Sequence, residues 1–506
     1  MTKAKDAAHG RATKSVLAAS LVILALLYLR VIFLPVATTI NLVPDDALFY
    51  FQVAKNFAYF GKITFDGIEP ATGFHPGWMF LIFSVYKPLT LFVKFEPEIF
   101  YRITLGFSLF FIFISMILGL NFLRSRSDTP SFILPVLVAM LGLKFIWNVG
   151  LETEALIALF ACHLIFKSRG DFFIAAIFAA LVTFFRIDMV GLFFMLAIFG
   201  LIFKARQEKG GKTISFLPDF AGSIVGFGFA MFFYLAVSGH PFSTSMYLKG
   251  GLFDVALASI KRNFSLFERF DLYVALASAF MFFLTPRGER KRLSPLCIYI
   301  LSLFVWLLFH VFFNRLCAPW YFKPFRYFLT LFFFAAASIL WERRKALAAI
   351  VMILPILFGL KWVYMAAVGK YDGGETQVYE FSKQIKGTTP EPVFARDYSG
   401  IIAFFSGKRV VNGDGLMNTR EFIQDYLLAG LVNEYVRERQ IPSCAFSYPL
   451  SAYKKFKEQG AILEEGCPFF LKCLPDGFKI STERIILEDC NSRWEKCLAL
   501  VDCRGL

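Results

Sequence analysis

Long apolar stretches alternating with short basic clusters dominate the chain. The first runs from Ser15 to Leu34 behind Lys3, Lys5, Arg11 and Lys14. At 20 residues it is long enough to cross a hydrocarbon layer as a helix. Val36-Ala37-Thr38 is a poor cleavage site, so the run reads as an uncleaved anchor with the N-terminus inside. Further runs lie near 99–123, 131–147, 151–166, 171–185, 189–203, 216–238, 271–285, 295–317, 325–341 and 346–367. Positive charge is retained on the cytoplasmic side of a membrane. That rule puts Arg124/Arg126, Lys167/Arg169, Lys204/Arg206/Lys209/Lys212, Arg287/Arg290/Lys291/Arg292 and Arg343/Arg344/Lys345 together inside, with two crossings between successive clusters. Parity lets only one of the runs 78–93 and 99–123 cross. The former has 16 residues and is interrupted by Lys87-Pro88, so it reads as re-entrant or lying at the outer surface. The expectation is a polytopic α-helical membrane protein of about 11 spans with its C-terminus outside.

Composition agrees. A chain of 506 residues that is 57% hydrophobic, with 65 Phe and a mean hydropathy of +0.59, cannot hide its apolar surface in one soluble core. The net charge of +15 raises the question of nucleic acid. Its Lys and Arg sit in separate clusters between apolar runs and form no continuous basic face, so the charge sets topology and no nucleic-acid partner is expected.

The same alternation sorts the polar residues by side. The first outer loop, residues 35–77, carries adjacent carboxylates at Asp45 and Asp46 and closes with Gly73-Phe74-His75-Pro76. An acidic first turn of a helix would also explain the pair. Residues 171–203 as one helix would run about 48 Å, too long for a hydrocarbon core of roughly 30 Å, whereas two short helices sink their turn Arg186-Ile187-Asp188 below the outer surface. Ionisable groups at that depth must pair or line a wet cavity. Glu152 and Glu154 open a helix, where the dipole favours carboxylates, and one of them could face the cavity of Asp45. Two more outer loops hold potential anion or sugar ligands: His240, Tyr247 and Lys249 in the first, and Arg315, Trp320, Tyr321, Lys323 and Arg326 in NRLCAPWYFKPFRY. His163 and His310 fall within spans and read as helix–helix hydrogen bonds. No zinc-hydrolase, P-loop or serine-hydrolase motif is present.

From residue 370 the composition turns soluble. Residues 392–395 and 409–411 read as strands around a helix at 399–405, Asn412 to Gly415 as a turn, and 419–439 as a helix, an α/β module. Six of nine Cys lie here, at 444, 467, 473, 490, 497 and 503. In an extracytoplasmic domain that count implies up to three disulfides, with fifteen pairings open.

Asp45-Asp46, TFDGIEPATGFHPGW, Gly150-Leu151-Glu152-Thr153, Arg186-Ile187-Asp188, GHPFSTSMYLK, Phe325-Arg326-Tyr327 and ARDYSGIIAFFSGKRVVNGDGL follow one another in an order that resembles the GT-C superfamily of polytopic glycosyltransferases. Its members include protein O-mannosyltransferases, aminoarabinose transferases and arabinofuranosyltransferases. The resemblance implies a GT-C-like membrane domain at 1–369 and an extracytoplasmic α/β domain at 370–506, in the plasma membrane. It implies inverting transfer of a sugar from a polyprenyl-phosphate donor to a lipid, polysaccharide or protein acceptor. Asp45 is then the expected general base, with Asp46 positioning the acceptor. The expected substrate-binding set is His75, Glu152, Arg186, Asp188, Tyr247, Lys249, Arg315, Trp320, Tyr321, Lys323 and Arg326. No cofactor is required by such chemistry, a divalent cation on Asp46 being the alternative. A transporter or flippase of a lipid-linked substrate is the rival function.

Overall fold

The computed structural model describes residues 2–125, 130, 132–205, 216–249, 257–315, 317–369, 371, 373–464 and 478–504. Each expected span corresponds to a helical segment. These are α1 (Thr2–Phe33), α4 (Pro97–Arg124), a broken helix Ile133–Ile146, α5 (Thr153–Arg169), α6 (Phe172–Phe185), α7 (Met189–Ala205), α8 (Leu217–Ser238), α10 (Arg269–Leu284), α11 (Arg287–Phe313), α12 (Lys323–Arg343) and α13 (Lys345–Val368). The connecting loops hold further helices, among them α2 (Asp45–Phe60), α3 (Pro76–Leu89) and α9 (Thr244–Lys249). Among the described residues six helices are long and apolar enough to cross a membrane by length and composition. α3 has 14 residues, about 21 Å, and carries Pro88 in its last turn.

Small residues set the closest packing. An added Cβ would fall 2.2 Å from the Ala176 carbonyl oxygen at Gly222 and 2.1 Å from that of Ala180 at Gly226, so α8 meets α6 backbone to backbone. At the centre, α12 is buried from Lys323 to Leu340, which a helix apolar on every face requires. Phe173, Phe232, Phe283 and Leu360 are exposed on the periphery, as expected of side chains facing lipid.

The C-terminal part has a five-stranded sheet in the order β2-β1-β3-β7-β6. β1 (Val393–Ala395) runs parallel to β2 (Val410–Asn412) and β3 (Ser443–Pro449), and β7 (Lys496–Asp502) is antiparallel to β3 and β6 (Ile485–Asn491). β4 (Ala461–Glu464) and β5 (Phe478–Ser481) form a separate antiparallel pair. The strand, helix, strand pattern stands as read, with α15 (Ser399–Ser406) between β1 and β2. The continuous helix expected at 419–439 does not form. A wide turn, Phe422–Leu427, is separated from α16 (Val432–Glu438) by Gly430 at φ 74°, a left-handed conformation that ends a helix. Disulfides join Cys444 to Cys503 and Cys490 to Cys497, while Cys467 and Cys473 lie outside the described residues.

This part is docked, not tethered. α14 (Glu375–Thr388) is tied to the first outer loop through Asn41, whose Nδ2 donates to the Thr376 hydroxyl oxygen at 2.7 Å, and through that hydroxyl, which donates to the Ala37 carbonyl at 2.6 Å. α15 packs on α2, with Phe404 edge-on to Phe51 at 5.8 Å, and one apolar core runs through both parts.

Candidate active site

The acidic pair opens α2 behind Pro44, and its two members point to different partners. Adjacent residues on a helix diverge by about 100°. Asp45 accepts hydrogen bonds from the backbone N–H groups of Ile401 at 2.7 Å and Gly400 at 3.2 Å, so it caps the N-terminus of α15. A Cβ at Gly400 would stand 2.5 Å from the Asp45 carbonyl oxygen, which explains the glycine there. Burial, with Asp46 and Asp414 adding their charge, pushes the Asp45 carboxyl well above the usual range against those two N–H groups. Asp46 turns the other way and stands 3.3 Å from Lys249 Nζ.

The loop Asn412–Met417 of the C-terminal part closes over this pair. The Thr244 hydroxyl donates to the Leu416 carbonyl at 2.8 Å, and Gly73 packs so tightly beneath that an added Cβ would lie 1.6 Å from the same oxygen. The loop brings a third carboxylate. Burial pushes Asp414 up to about 7, with Asp46 adding to the effect, while the Leu416 N–H and Lys249 pull the other way.

A second, buried network reaches the cavity only through Asp188, His75 and Tyr321. Arg186 donates from Nη1 to Glu152 Oε1 at 3.2 Å and from Nε to Asp188 Oδ1 at 3.0 Å, with its guanidinium 4.0 Å from the Tyr321 ring centroid. The Tyr50 hydroxyl donates to Glu152 Oε2 at 2.9 Å, and His75 Nε2 lies 3.9 Å from Oε1. The Arg186–Asp188 pair is therefore not a private bridge, because Arg186 is shared by two carboxylates and Asp188 lines an open cavity. That cavity, about 710 Å³, is lined by His75, Asp188, Tyr247, Lys249, Arg315 and Tyr321 from the expected set, together with His240, His310 and Arg420. Its size suits a sugar-bearing ligand.

Several expected residues are not on its lining, Asp45, Asp46, Glu152 and Arg186 among them. Glu154 and Lys323 pair with each other at 2.5 Å, and Lys323 also donates to the Asn148 carbonyl at 2.9 Å, both buried. Glu152 and Glu154 are two residues apart, about 200° around a helix, and face opposite ways. Arg326 is held by Asp271 at 2.8 Å and Glu268 at 2.9 Å, the two acids that cap α10. Trp320 is half-buried and off the lining. His310 corrects the reading in the other direction. α11 ends at Phe313 instead of continuing to 317, so His310 is near its end and reaches Asp188 at 3.0 Å. His163 does make a helix–helix hydrogen bond, with Tyr299, beside the buried Lys167–Asp219 pair. Arg420 carries no signal as a site residue in the sequence, and Asp414 is marked only as part of the NGDGL stretch; the docking of the C-terminal part brings both near.

Neither a family model nor a curated protein matches the chain. Solved structures do. ArnT from Cupriavidus metallidurans, bound to undecaprenyl phosphate, superposes with a TM-score of 0.56 at 13% identity over 95% of this chain and 97% of that one. Its apo form gives 0.56 at 12% identity over 94% and 97%. The fold is that of the GT-C glycosyltransferases. An oligosaccharyltransferase from Archaeoglobus fulgidus, in complex with Zn and sulfate, shares the GT-C fold with a TM-score of 0.50 at 13% identity over 91% of this chain and 72% of that one. Among the described residues no three His, Cys, Asp or Glu side chains are grouped to hold a metal ion, and the cation beside Asp46 is Lys249.

Proposed function

We propose that this chain is a membrane glycosyltransferase that moves a sugar from a polyprenyl-phosphate donor to a hydroxyl of an envelope acceptor on the outer face, with inversion. The observation that carries the reading is the Asp46–Lys249 pair at 3.3 Å beside a cavity of about 710 Å³. An acceptor hydroxyl has a pKa far above 7 and needs a carboxylate in reach as it attacks. The departing phosphate gains negative charge and needs a cation. As the acceptor oxygen bonds to the anomeric carbon, the bond from that carbon to the phosphate oxygen breaks. The electron pair leaves with the lipid phosphate, and the hydroxyl proton passes to Asp46.

Asp46 takes the role expected of Asp45 because both oxygens of Asp45 are already occupied by α15. Asp45 becomes a positioning residue that fixes the start of α2. Lys249, with Arg315 nearby on the lining, receives the phosphate, and Tyr321 offers a face to the sugar. The undecaprenyl phosphate bound to ArnT and the acceptor peptide tethered to the archaeal oligosaccharyltransferase match the two kinds of ligand this needs. The disulfides suit an extracytoplasmic C-terminal part.

The test is mass spectrometry of envelope glycans and lipid-linked sugars from a strain lacking the protein, followed by reconstitution in vesicles with a labelled polyprenyl-phosphate sugar. A missing glycosidic linkage, restored by the purified chain, is the expected result. Movement of the lipid-linked sugar across the vesicle without any covalent product would establish the transporter reading instead.

A further inference from the structure

The cationic groups around the cavity differ in how they are balanced. Lys249 lies against Asp46, and Arg186 lies between Glu152 and Asp188. Arg420, supplied by the C-terminal part, has no carboxylate within ion-pair distance among the described residues. Its Nη1 donates to His240 Nδ1 at 3.4 Å, its guanidinium stands 4.8 Å from the Tyr247 ring centroid, and its Nε is buried with no acceptor.

His240 supplies orientation and no counter-charge. To accept at Nδ1 it must carry its proton on Nε2, the nitrogen that lies 4.0 Å from Glu421. The one hydrogen bond to a ring nitrogen leaves the charge on Arg420 for a ligand. A guanidinium stacked on an aromatic ring and steered by one hydrogen bond is a ready fork for carboxylate or phosphate.

We propose that Arg420, held by His240 and Tyr247, is an anion-recognition site for the acceptor, so that the natural acceptor is an acidic saccharide. This rests on the transferase reading above. The donor carries its phosphate on the anomeric carbon, where Lys249 meets it, and a single lipid phosphate leaves nothing for a second cationic site. Arg420 comes from the C-terminal part of the chain, which is docked over the cavity.

The experiment uses the full chain in lipid nanodiscs without donor, so it does not depend on turnover. Binding of methyl glucuronide, methyl glucoside 6-phosphate and methyl glucoside is measured by calorimetry for the wild type, Arg420→Gln and Arg420→Lys. At least one anionic probe should bind about 10–100-fold more tightly than the neutral glucoside, the span of a charge-assisted hydrogen bond. Arg420→Gln should erase that preference and Arg420→Lys keep part of it, with melting temperatures near wild type. The better anionic probe tells carboxylate from phosphate. Equal binding of all three probes to the wild type, or a preference that survives Arg420→Gln, overturns the proposal. With donor added, loss of transfer to every probe despite selective binding would count against the transferase reading and leave this one standing.

Discussion

Replacing Asp46 by Asn keeps the size of the side chain and removes both its basicity and its charge. If Asp46 receives the acceptor proton, kcat should fall about 10²–10⁴-fold, the usual contribution of a positioned general base, or about 3–5 kcal/mol in the barrier. The KM for the donor should not rise. Lys249, at 3.3 Å, loses its carboxylate and stays available to the donor phosphate. Asp45→Asn separates chemistry from architecture. It weakens the two backbone hydrogen bonds to α15, at 2.7 and 3.2 Å, each worth about 0.5–1.5 kcal/mol net. Its main effect should be a lower melting temperature and easier proteolysis of the C-terminal part. Both variants are assayed in nanodiscs with labelled donor, alongside thermal melts. An Asp46→Asn enzyme within about threefold of wild type, beside a well-folded but inactive Asp45→Asn enzyme, would refute the allocation of the base.

Gly73→Ala drives a methyl group onto the Leu416 carbonyl, only 1.6 Å from the ideal Cβ position, so the Asn412–Met417 loop must lift; faster limited proteolysis after residue 370 and reduced turnover are the readouts. Asp414, raised from 3.8 to about 7, is harder to ionise folded than unfolded, so its contribution to stability is lost as pH rises from about 4 to 7 and stays lost above. Asp414→Asn should therefore melt higher than wild type at pH 8 and show little difference at pH 4, and a gain confined to low pH would contradict the sign. Cys444→Ser opens a crosslink between residues 59 apart and should cost about 2–5 kcal/mol, seen as a lower melting temperature that added reductant does not lower further through this bond.

The alternation of apolar runs and basic clusters was enough to place eleven helical segments among the described residues and to put the loops carrying Asp45, Glu152, Arg186 and Lys249 at a common end. That much is readable because spanning length and charge asymmetry are local properties of the chain. The opposed directions of Glu152 and Glu154 were also accessible, since two residues on a helix differ by about 200°. Which cation meets which anion was not. Arg326 looked like a phosphate ligand until Glu268 and Asp271, from the cap of α10, took both sides of its guanidinium.

The sequence by itself determined the class of protein, the number of apolar segments, the strand–helix–strand opening of the C-terminal part and the inventory of acids and cations available to a site. Only the tertiary structure decided that Asp45 anchors α15 while Asp46 meets Lys249, that His310 joins Asp188, and that Asp414 and Arg420 come into the site from more than 160 residues beyond Lys249. The physical reason is that hydropathy is summed along a segment, whereas a hydrogen bond or ion pair depends on distances of a few ångströms between elements far apart in the chain.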